Sequence, residues 1–135
     1  MRIKGAESHK RRLRKMRGRE LVTALTRDTF IAADSVRGVA QFLISQGSIQ
    51  GKGHVPSKPG EPPNLDTGVL SAGITARITG PLKAVAESAA PYAVPLEVGT
   101  SKMAERPYMA PAAQKVRKEY TVNVRATVNR VNRKG

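Results

Sequence analysis

The chain has 135 residues and a formal net charge of +14, from 24 Lys and Arg against 10 Asp and Glu, and it contains no cysteine. This length suits one domain of ordinary size, and a hydrophobic fraction of 39% is sufficient to form a core. The lack of cysteine excludes a disulfide scaffold, a Cys-ligated zinc or iron–sulfur site and a thiol nucleophile. No stretch of the sequence approaches the ~20 consecutive apolar residues that span a bilayer.

The positive charge lies at the two ends of the chain. Residues 1–19 hold nine Lys and Arg with one acid, and residues 115–135 hold seven with one acid, whereas the 95 residues between them carry eight bases and eight acids. Basic ends bind a polyanion, or they are solvated termini or helix faces that pair with an acidic neighbouring subunit. Charge alone leaves both explanations open, but aromatics are not interleaved with the basic residues, which counts against stacking on single-stranded bases.

The first predicted element is a long helix over residues 6–46. Apolar residues recur along it at spacings of three and four, which is the helical period. The stripe comprises Leu21, Leu25, Thr29, Ala32, Val36, Val39 and Phe42 or Leu43. Gly18 is predicted to mark a joint between a basic first part and a packed second part. Residues 47–64 hold four Gly and four Pro, a density that predicts a long loop.

A short helical turn and a β-hairpin are predicted next. Asp66 or Thr67 is expected to cap a turn that extends through Leu70. Residues 72–79 and 82–88 are predicted strands joined at Gly80-Pro81, and each places alternate residues on one face. Those faces comprise Ile74, Ala76 and Ile78 on the first strand and Leu82, Ala84 and Ala86 on the second. Since an isolated hairpin is unstable in water, it must pack on the long helix or on a neighbouring chain.

The C-terminal part is predicted to be helical. Residues 90–99 begin with Pro91 near a helix start and end at Gly99, a pattern that indicates one or two helical turns. Residues 100–107 are a predicted loop, and Pro111 suits the first position of a last helix. Over residues 120–131, helical spacing competes with the strict alternation of a strand, and a helix to about residue 130 is preferred. The predicted fold is α+β: a long N-terminal helix, an antiparallel hairpin or small sheet, a short helix and a C-terminal helix.

No arrangement of residues indicates catalysis. His9 lies in the basic run and His54 in the Gly- and Pro-rich loop, and neither has a second His or carboxylate at metal-ligand spacing. The acids are scattered singly, and Asp28 and Asp34 are expected to pair with a neighbouring Arg27 or Arg37, or with solvent. We therefore predict no enzyme activity, no metal site and no cofactor.

Five short motifs are the strongest local signal. They are Pro59-Gly60-Glu61-Pro62-Pro63, Asp66-Thr67-Gly68 with Leu70, Pro91-Tyr92, Glu97 with Gly99-Thr100, and Arg106-Pro107-Tyr108. In this order, from about residue 20 to residue 120, they resemble the tailed-phage tail-component family often called gene-product-ten-like. Each motif alone is weak, and their order and spacing make the match specific. Val98 and Val69 depart from the family pattern, which commonly has an aromatic and a basic residue at these positions.

The resemblance implies a structural role at the head–tail junction of the virion of a long-tailed phage, after assembly in the host cytoplasm. Members are neck or tail-completion proteins that join the DNA-filled head to the tail tube. The implied partners are further copies of the chain in a ring, with sixfold symmetry favoured and twelvefold plausible, and other neck, connector and tail-tube proteins. No membrane contact is implied. The motif-bearing domain is expected over residues 20–120, between a basic N-terminal extension over 1–19 and a basic C-terminal end over 121–135.

The resemblance also implies that the motif residues form a scaffold, not an active site. Glu97 is expected to bond a neighbouring backbone N–H or Arg106. Gly99 suits a position with positive φ after a short helix. Arg106-Pro107 is expected to fix the start of the last helix, and Tyr92 offers a large apolar face with a polar tip.

The basic ends lie outside the shared motifs. We hypothesise that six residues of the first basic run face genomic DNA in the channel or an acidic neighbouring ring. They are Lys10, Arg11, Arg12, Arg14, Lys15 and Arg17. The alternative function is that of a cellular nucleic-acid-binding protein of ribosomal or nucleoid type. The chain length, the basic charge and the lack of cysteine favour this alternative, whereas the neutral middle and the ordered motifs count against it.

Overall fold

The computed structural model of the chain describes residues 5–45, 57, 60, 68–102 and 104–133. Six elements follow one another: α1 (Ala6–Ser45), α2 (Val69–Ala72), β1 (Ile74–Gly80), β2 (Lys83–Ser88), α3 (Ala93–Val98) and α4 (Met109–Arg133). The predicted α+β fold and its order of elements are confirmed. The predicted loop over 47–64 and the predicted cap at Asp66 or Thr67 lie outside the described residues, apart from Ser57 and Gly60.

The long helix α1 runs without interruption through Gly18, so the predicted joint at this residue is wrong. Its surroundings do change there, because every residue from 7 to 16 is exposed, whereas the buried residues of the helix lie at Ala33, Ala40 and Ile44. At about 1.5 Å per residue, the exposed first part is roughly 15 Å long. None of the helices in the described ranges combines the length and apolarity needed to cross a bilayer.

The hairpin pairs β1 with β2 in antiparallel register, from Ile74 opposite Ser88 to Gly80 opposite Lys83, with an irregularity between Ile78 and Gly80. The strands begin at residues 74 and 83, two residues and one residue later than predicted. Pro81 and Leu82 form the turn, so Leu82 does not lie on the strand face where it was predicted. Ile78 was predicted to lie on a buried face, but it is 52% exposed because it lies near the tip of the hairpin.

Both strands pack against α1, as required for a two-stranded sheet to be stable. At the tip, the Leu82 backbone N–H donates to Thr26 Oγ1 at 3.0 Å. At the base, Ile74 belongs to the same buried cluster as Ala40 and Ile44. The hairpin therefore lies along α1 from the level of Ile44 to that of Thr26, and the predicted packing on the long helix is confirmed.

The main core is small and lies around the C-terminal half of α1. Its buried members come from α1, α2, β1, α3, α4 and the segments that precede the last two helices. They are Ala40, Ile44, Leu70, Ile74, Ala90, Ala93, Tyr108 and Ala112. Four of the eight are alanines, so the core depends on close approach of the backbones and holds one aromatic ring.

The last helix, α4, packs antiparallel to α1. Val36 and Met109 line one groove at the start of α4, whereas Thr127, near its end, donates a hydrogen bond to the Asp28 carboxylate. Val116, Thr127 and Val131 are buried, whereas Val122 is 57% exposed, so burial follows the helical period. The preferred prediction of a helix through residue 130 is thereby confirmed. Pro111 is the third residue of α4 and not its first, which corrects the predicted start.

Candidate functional site

The junction between α3 and α4 is organised by Glu97. Its Oε2 accepts hydrogen bonds from the backbone N–H groups of Tyr108 at 3.0 Å and Met109 at 3.1 Å, and its Oε1 accepts one from Ala110 at 2.8 Å. The first four N–H groups of a helix have no partner within the helix, and Pro111, the next residue, has no N–H. One carboxylate thus accepts hydrogen bonds from every free N–H donor at this end. Its negative charge also interacts favourably with the positive end of the helix dipole. The expected bond from Glu97 to a neighbouring backbone N–H is confirmed.

Backbone hydrogen bonds of other residues in the last two motifs stabilise the same junction between α3 and α4. The Gly99 N–H donates to the Pro95 carbonyl at 2.8 Å, and Gly99 has a φ of 77°. This confirms the predicted positive φ, a conformation that glycine adopts without steric cost. The Arg106 N–H donates to the Leu96 carbonyl at 2.6 Å, which ties the segment before α4 to α3. Arg106 Nε is buried without a hydrogen-bond partner among the described residues.

Tyr108 connects the junction to the sheet. Its ring is fully buried, and its hydroxyl donates to Ser88 Oγ at 2.8 Å. Burial raises the pKa of the Tyr108 hydroxyl, and the negative charge of Glu97 adds to this effect, while the bond to Ser88 opposes it. Tyr108 is therefore a core residue whose polar tip has a partner, a role that its place in a motif did not reveal.

The remaining motif residues are placed as follows. Pro91 lies in the turn before α3, and Tyr92 is at the N-cap position with its side chain 42% exposed. Thr100 is exposed, and its Oγ1 accepts a hydrogen bond from the Lys102 N–H at 3.3 Å. Pro107 is half-buried before α4. These contacts are local and agree with a scaffold role.

The first two motifs are only partly described. The Gly60 N–H donates to the Glu105 carbonyl at 2.9 Å, which places Gly60 beside the segment before α4. The Gly68 carbonyl accepts the Ala72 N–H at 2.9 Å, and Leu70 is buried in the core. The rest of these motifs lies outside the described residues; it comprises Pro59, Glu61, Pro62, Pro63, Asp66 and Thr67.

The six basic residues of the sequence hypothesis lie on the first part of α1, five of them exposed and Arg17 half-buried. Of these six, only Lys10 has an ion pair within the described ranges, to Glu7 at 3.6 Å and exposed to solvent. The structure adds a feature that sequence reasoning missed. Because α4 runs antiparallel to α1, Arg130 near its end lines an open cleft together with Arg19 and Arg27. Arg19, the last residue of the first basic end, therefore lies in the same cleft as Arg130 of the second, together with the acidic Glu20. The predicted helix at residues 120–131 was the only signal of this contact.

A second surface feature is an apolar groove of about 650 Å³ between α1, the hairpin and α4. Six of the thirteen residues that line it are alanines; they are Ala32, Ala33, Ala84, Ala86, Ala110 and Ala113. At one end, Thr29 Oγ1 donates to the Leu25 carbonyl at 2.8 Å. The 3.1 Å bond between Thr29 Oγ1 and the Tyr120 hydroxyl is therefore donated by Tyr120, since a threonine hydroxyl has one hydrogen.

The isolated titratable residues form no metal site within the described ranges, where no three potential ligands cluster. His9 is exposed, and His54 lies outside these ranges. The expected pairing of Asp34 is confirmed, because Arg37 Nε donates to its carboxylate at 2.8 Å. This hydrogen bond, together with the negative charge of Asp34, raises the pKa of Arg37 above its ordinary value. Asp28 was expected to pair with Arg27 or Arg37, or with solvent, but its carboxylate accepts a hydrogen bond from Thr127.

Comparison of the chain with models of known protein families, with curated proteins and with solved structures gives no match. The family resemblance therefore depends on the order of the motifs in the sequence.

Proposed function

We propose that the chain is a structural protein of the head–tail junction of a long-tailed phage, a neck or tail-completion component that assembles as a ring around the DNA channel. The observation that carries the proposal is the ordered motif set over residues 20–120. The contacts of Glu97, Gly99 and Arg106 support a scaffold role for its last two motifs, because they act on backbone groups that position α3 and α4. A domain of this kind functions by binding other proteins, or further copies of itself, through its exposed surfaces.

Exposed apolar surface supports self-assembly. The short helix α3 exposes Val94 by 70% and Val98 by 67%, and the alanine-lined groove lies between α1, the hairpin and α4. Two exposed apolar side chains and an apolar groove at different places on one chain are suited to a head-to-tail contact, which forms a ring when the rotation closes. We propose that α3 of one copy contacts the groove of the next, with six copies favoured.

Native mass spectrometry and negative-stain microscopy of the purified full chain test this proposal. The expected result is a closed ring, and a Val98→Asp variant is expected to shift it to monomers while its far-ultraviolet circular dichroism stays unchanged. Ser101→Asp, an exposed polar residue after α3, is the matched control and is expected to assemble normally. A wild-type chain that remains monomeric at high concentration would overturn the proposal.

A cellular nucleic-acid-binding protein is the second candidate, favoured by the exposed basic residues of α1. It requires no assembly. A monomer that binds nucleic acid and forms no ring at any concentration would support this candidate over a neck protein.

A further inference from the structure

We infer that the first part of α1 and the end of α4 form one surface that binds the phosphate backbone of double-stranded DNA without sequence preference. We call it the two-helix basic surface, and its members are Lys10, Arg14 and Arg17 on α1 and Arg130 and Arg133 on α4. The inference goes beyond the proposed function, because both helices belong to one chain and the surface exists whether or not the chain forms a ring.

The first step is the geometry of α1. Lys10, Arg14 and Arg17 are spaced by four and three residues, and the same spacing continues through Leu21 and Leu25 to Asp28. They therefore share one face of the helix. Asp28 on this face accepts a hydrogen bond from Thr127, so α4 covers the face at that level.

The second step is the place where α4 ends. Six residues separate Thr127 from Arg133, the last residue of α4, which extends the helix about 9 Å beyond the level of Asp28. The antiparallel α1 covers the same distance between Asp28 and Val22, so α4 ends before the level of Arg17. On the shared face beyond this point, Lys10 and Arg14 are exposed and Arg17 is half-buried. Beyond the end of α4, the residues of this face of α1 are basic. Arg130 and Arg133 lie on the last turn of α4, next to this part of α1. Arginines of both helices therefore line the corner where the end of α4 meets the first part of α1.

The charge of this region is unbalanced. Residues 6–27 carry eight Lys and Arg against two acids, Glu7 and Glu20. Arg11, Arg12 and Arg14 are exposed and have no ion pair within the described part of the chain. Closely spaced cations of this kind repel one another, and a polyanion relieves the repulsion while its own counterions are released.

The chemistry of the residues favours duplex DNA over the other polyanions. Neither residues 6–28 nor residues 121–133 contain Phe, Tyr or Trp, so the surface lacks the large platforms on which single-stranded bases stack. An acidic protein partner would require an apolar centre to its interface, but in residues 7–19 only Leu13 and Met16 are large and apolar. Dense Lys and Arg without such features suit the closely spaced phosphates of a duplex, whose contacts require charge and not base identity.

Fluorescence anisotropy with a labelled 20-base-pair duplex of mixed sequence tests the inference in the full chain. The double variant Arg130→Gln/Arg133→Gln is expected to weaken binding by roughly tenfold near 0.1 M salt and to reduce the slope of log K against log salt by about 2, because two phosphate contacts are lost. A triple variant, Lys10→Gln/Arg14→Gln/Arg17→Gln, is expected to reduce the slope by about 3. Each variant is first checked for an unchanged circular dichroism spectrum.

The charge-matched control is Lys83→Gln/Lys102→Gln, which removes two exposed lysines outside the surface and is expected to leave affinity and slope unchanged. Equal loss in this control would show that net charge alone binds DNA and would overturn the inference. A single strand of equal length that binds as tightly as the duplex would also overturn it. Stronger binding to polyglutamate than to the duplex at equal salt would overturn it in favour of an acidic protein partner. Ring assembly does not enter these readouts, so a failure here leaves the proposed function standing.

Discussion

The Glu97 carboxylate accepts the backbone N–H of Tyr108 at 3.0 Å, and this contact joins two helices at their ends. A helix is usually capped by the residue directly before its first turn, whereas Glu97 lies in α3, eleven residues before Tyr108. The same carboxylate also binds the next two N–H groups, so the direction of α4 is coupled to the position of α3. One side chain therefore links α3 to the start of α4, in addition to the backbone bond between Arg106 and Leu96.

We expect Glu97→Ala to destabilise the fold by about 1–2 kcal/mol, the upper range for loss of a helix cap, because three N–H groups at the start of α4 lose their partner. Glu97→Gln keeps acceptor oxygen but loses the charge and is expected to cost less. Urea unfolding monitored by circular dichroism measures both. Glu105→Ala, an exposed carboxylate in the segment before α4, is the control and is expected to change little. Equal stability of Glu97→Ala and wild type would contradict the capping role.

The raised pKa of the Tyr108 hydroxyl predicts how the free energy of unfolding changes at alkaline pH. Because its pKa is raised in the folded chain, the unfolded chain loses this proton first as the pH rises above about 10. Stability is then fully present below pH ~10 and decreases above it. Urea unfolding of wild type and Tyr108→Phe between pH 8 and pH ~11.5 measures the effect. The Phe variant, which lacks the titrating hydroxyl and the bond to Ser88, is expected to be less stable at pH 8 and to lose less on alkalinisation. If the free energies of unfolding of wild type and Tyr108→Phe fell in parallel as the pH rises, the titration of Tyr108 would not contribute to the loss of stability.

The order of the elements could be predicted from the sequence because each has its own local signal. The apolar stripe of α1, the turn at Pro81 and the positive φ of Gly99 follow from residue type and spacing. The helix–strand ambiguity at residues 120–131 was different, since Tyr120, Val124 and Val128 fit both periods. It is resolved by packing, because Val116, Thr127 and Val131 reach the buried side of α4 only in a helix.

The candidate surfaces could be predicted only in part. The exposure of Lys10 and its neighbours agrees with their position in a charged run, but no local pattern places Arg130 beside Arg19, more than a hundred residues away. That contact depends on the antiparallel packing of α4 on α1. In the same way, the alanine-lined groove arises where three elements meet, and alanines in a sequence do not reveal which of their faces remain uncovered.

The Asp28–Thr127 contact gives a third prediction. Thr127 is 4% exposed, and its hydroxyl donates to a carboxylate, a bond stronger than one between neutral groups. Thr127→Val preserves the shape but removes the donor, so we expect a loss of about 1.5–3 kcal/mol in urea unfolding. The matched control is Thr121→Val on the same helix, where the exposed hydroxyl donates only to the Arg117 carbonyl and its loss is expected to be near neutral. Similar losses in the two variants would show that the Asp28 contact adds nothing.

The turn of the hairpin gives the last prediction. Leu82 has a φ of 60°, the only positive φ of a residue other than glycine within the described ranges. This conformation costs most residues roughly 1–2 kcal/mol, and asparagine tolerates it best after glycine. Leu82 is also 48% exposed, so its side chain contributes limited burial. Its backbone N–H still donates to Thr26 Oγ1, which holds the turn against α1 and is unaffected by the side chain.

We therefore expect Leu82→Asn to stabilise the chain by about 0.5–1 kcal/mol and Leu82→Val, with a branched Cβ, to destabilise it by about 1 kcal/mol. Opposite signs are the diagnostic result, since loss of apolar surface alone would make Asn the worse substitution. Urea unfolding of the two variants beside wild type measures both changes. If Leu82→Asn proves less stable than Leu82→Val, the contacts of the Leu82 side chain outweigh its backbone strain, and the hairpin tip is held by packing and not by the turn.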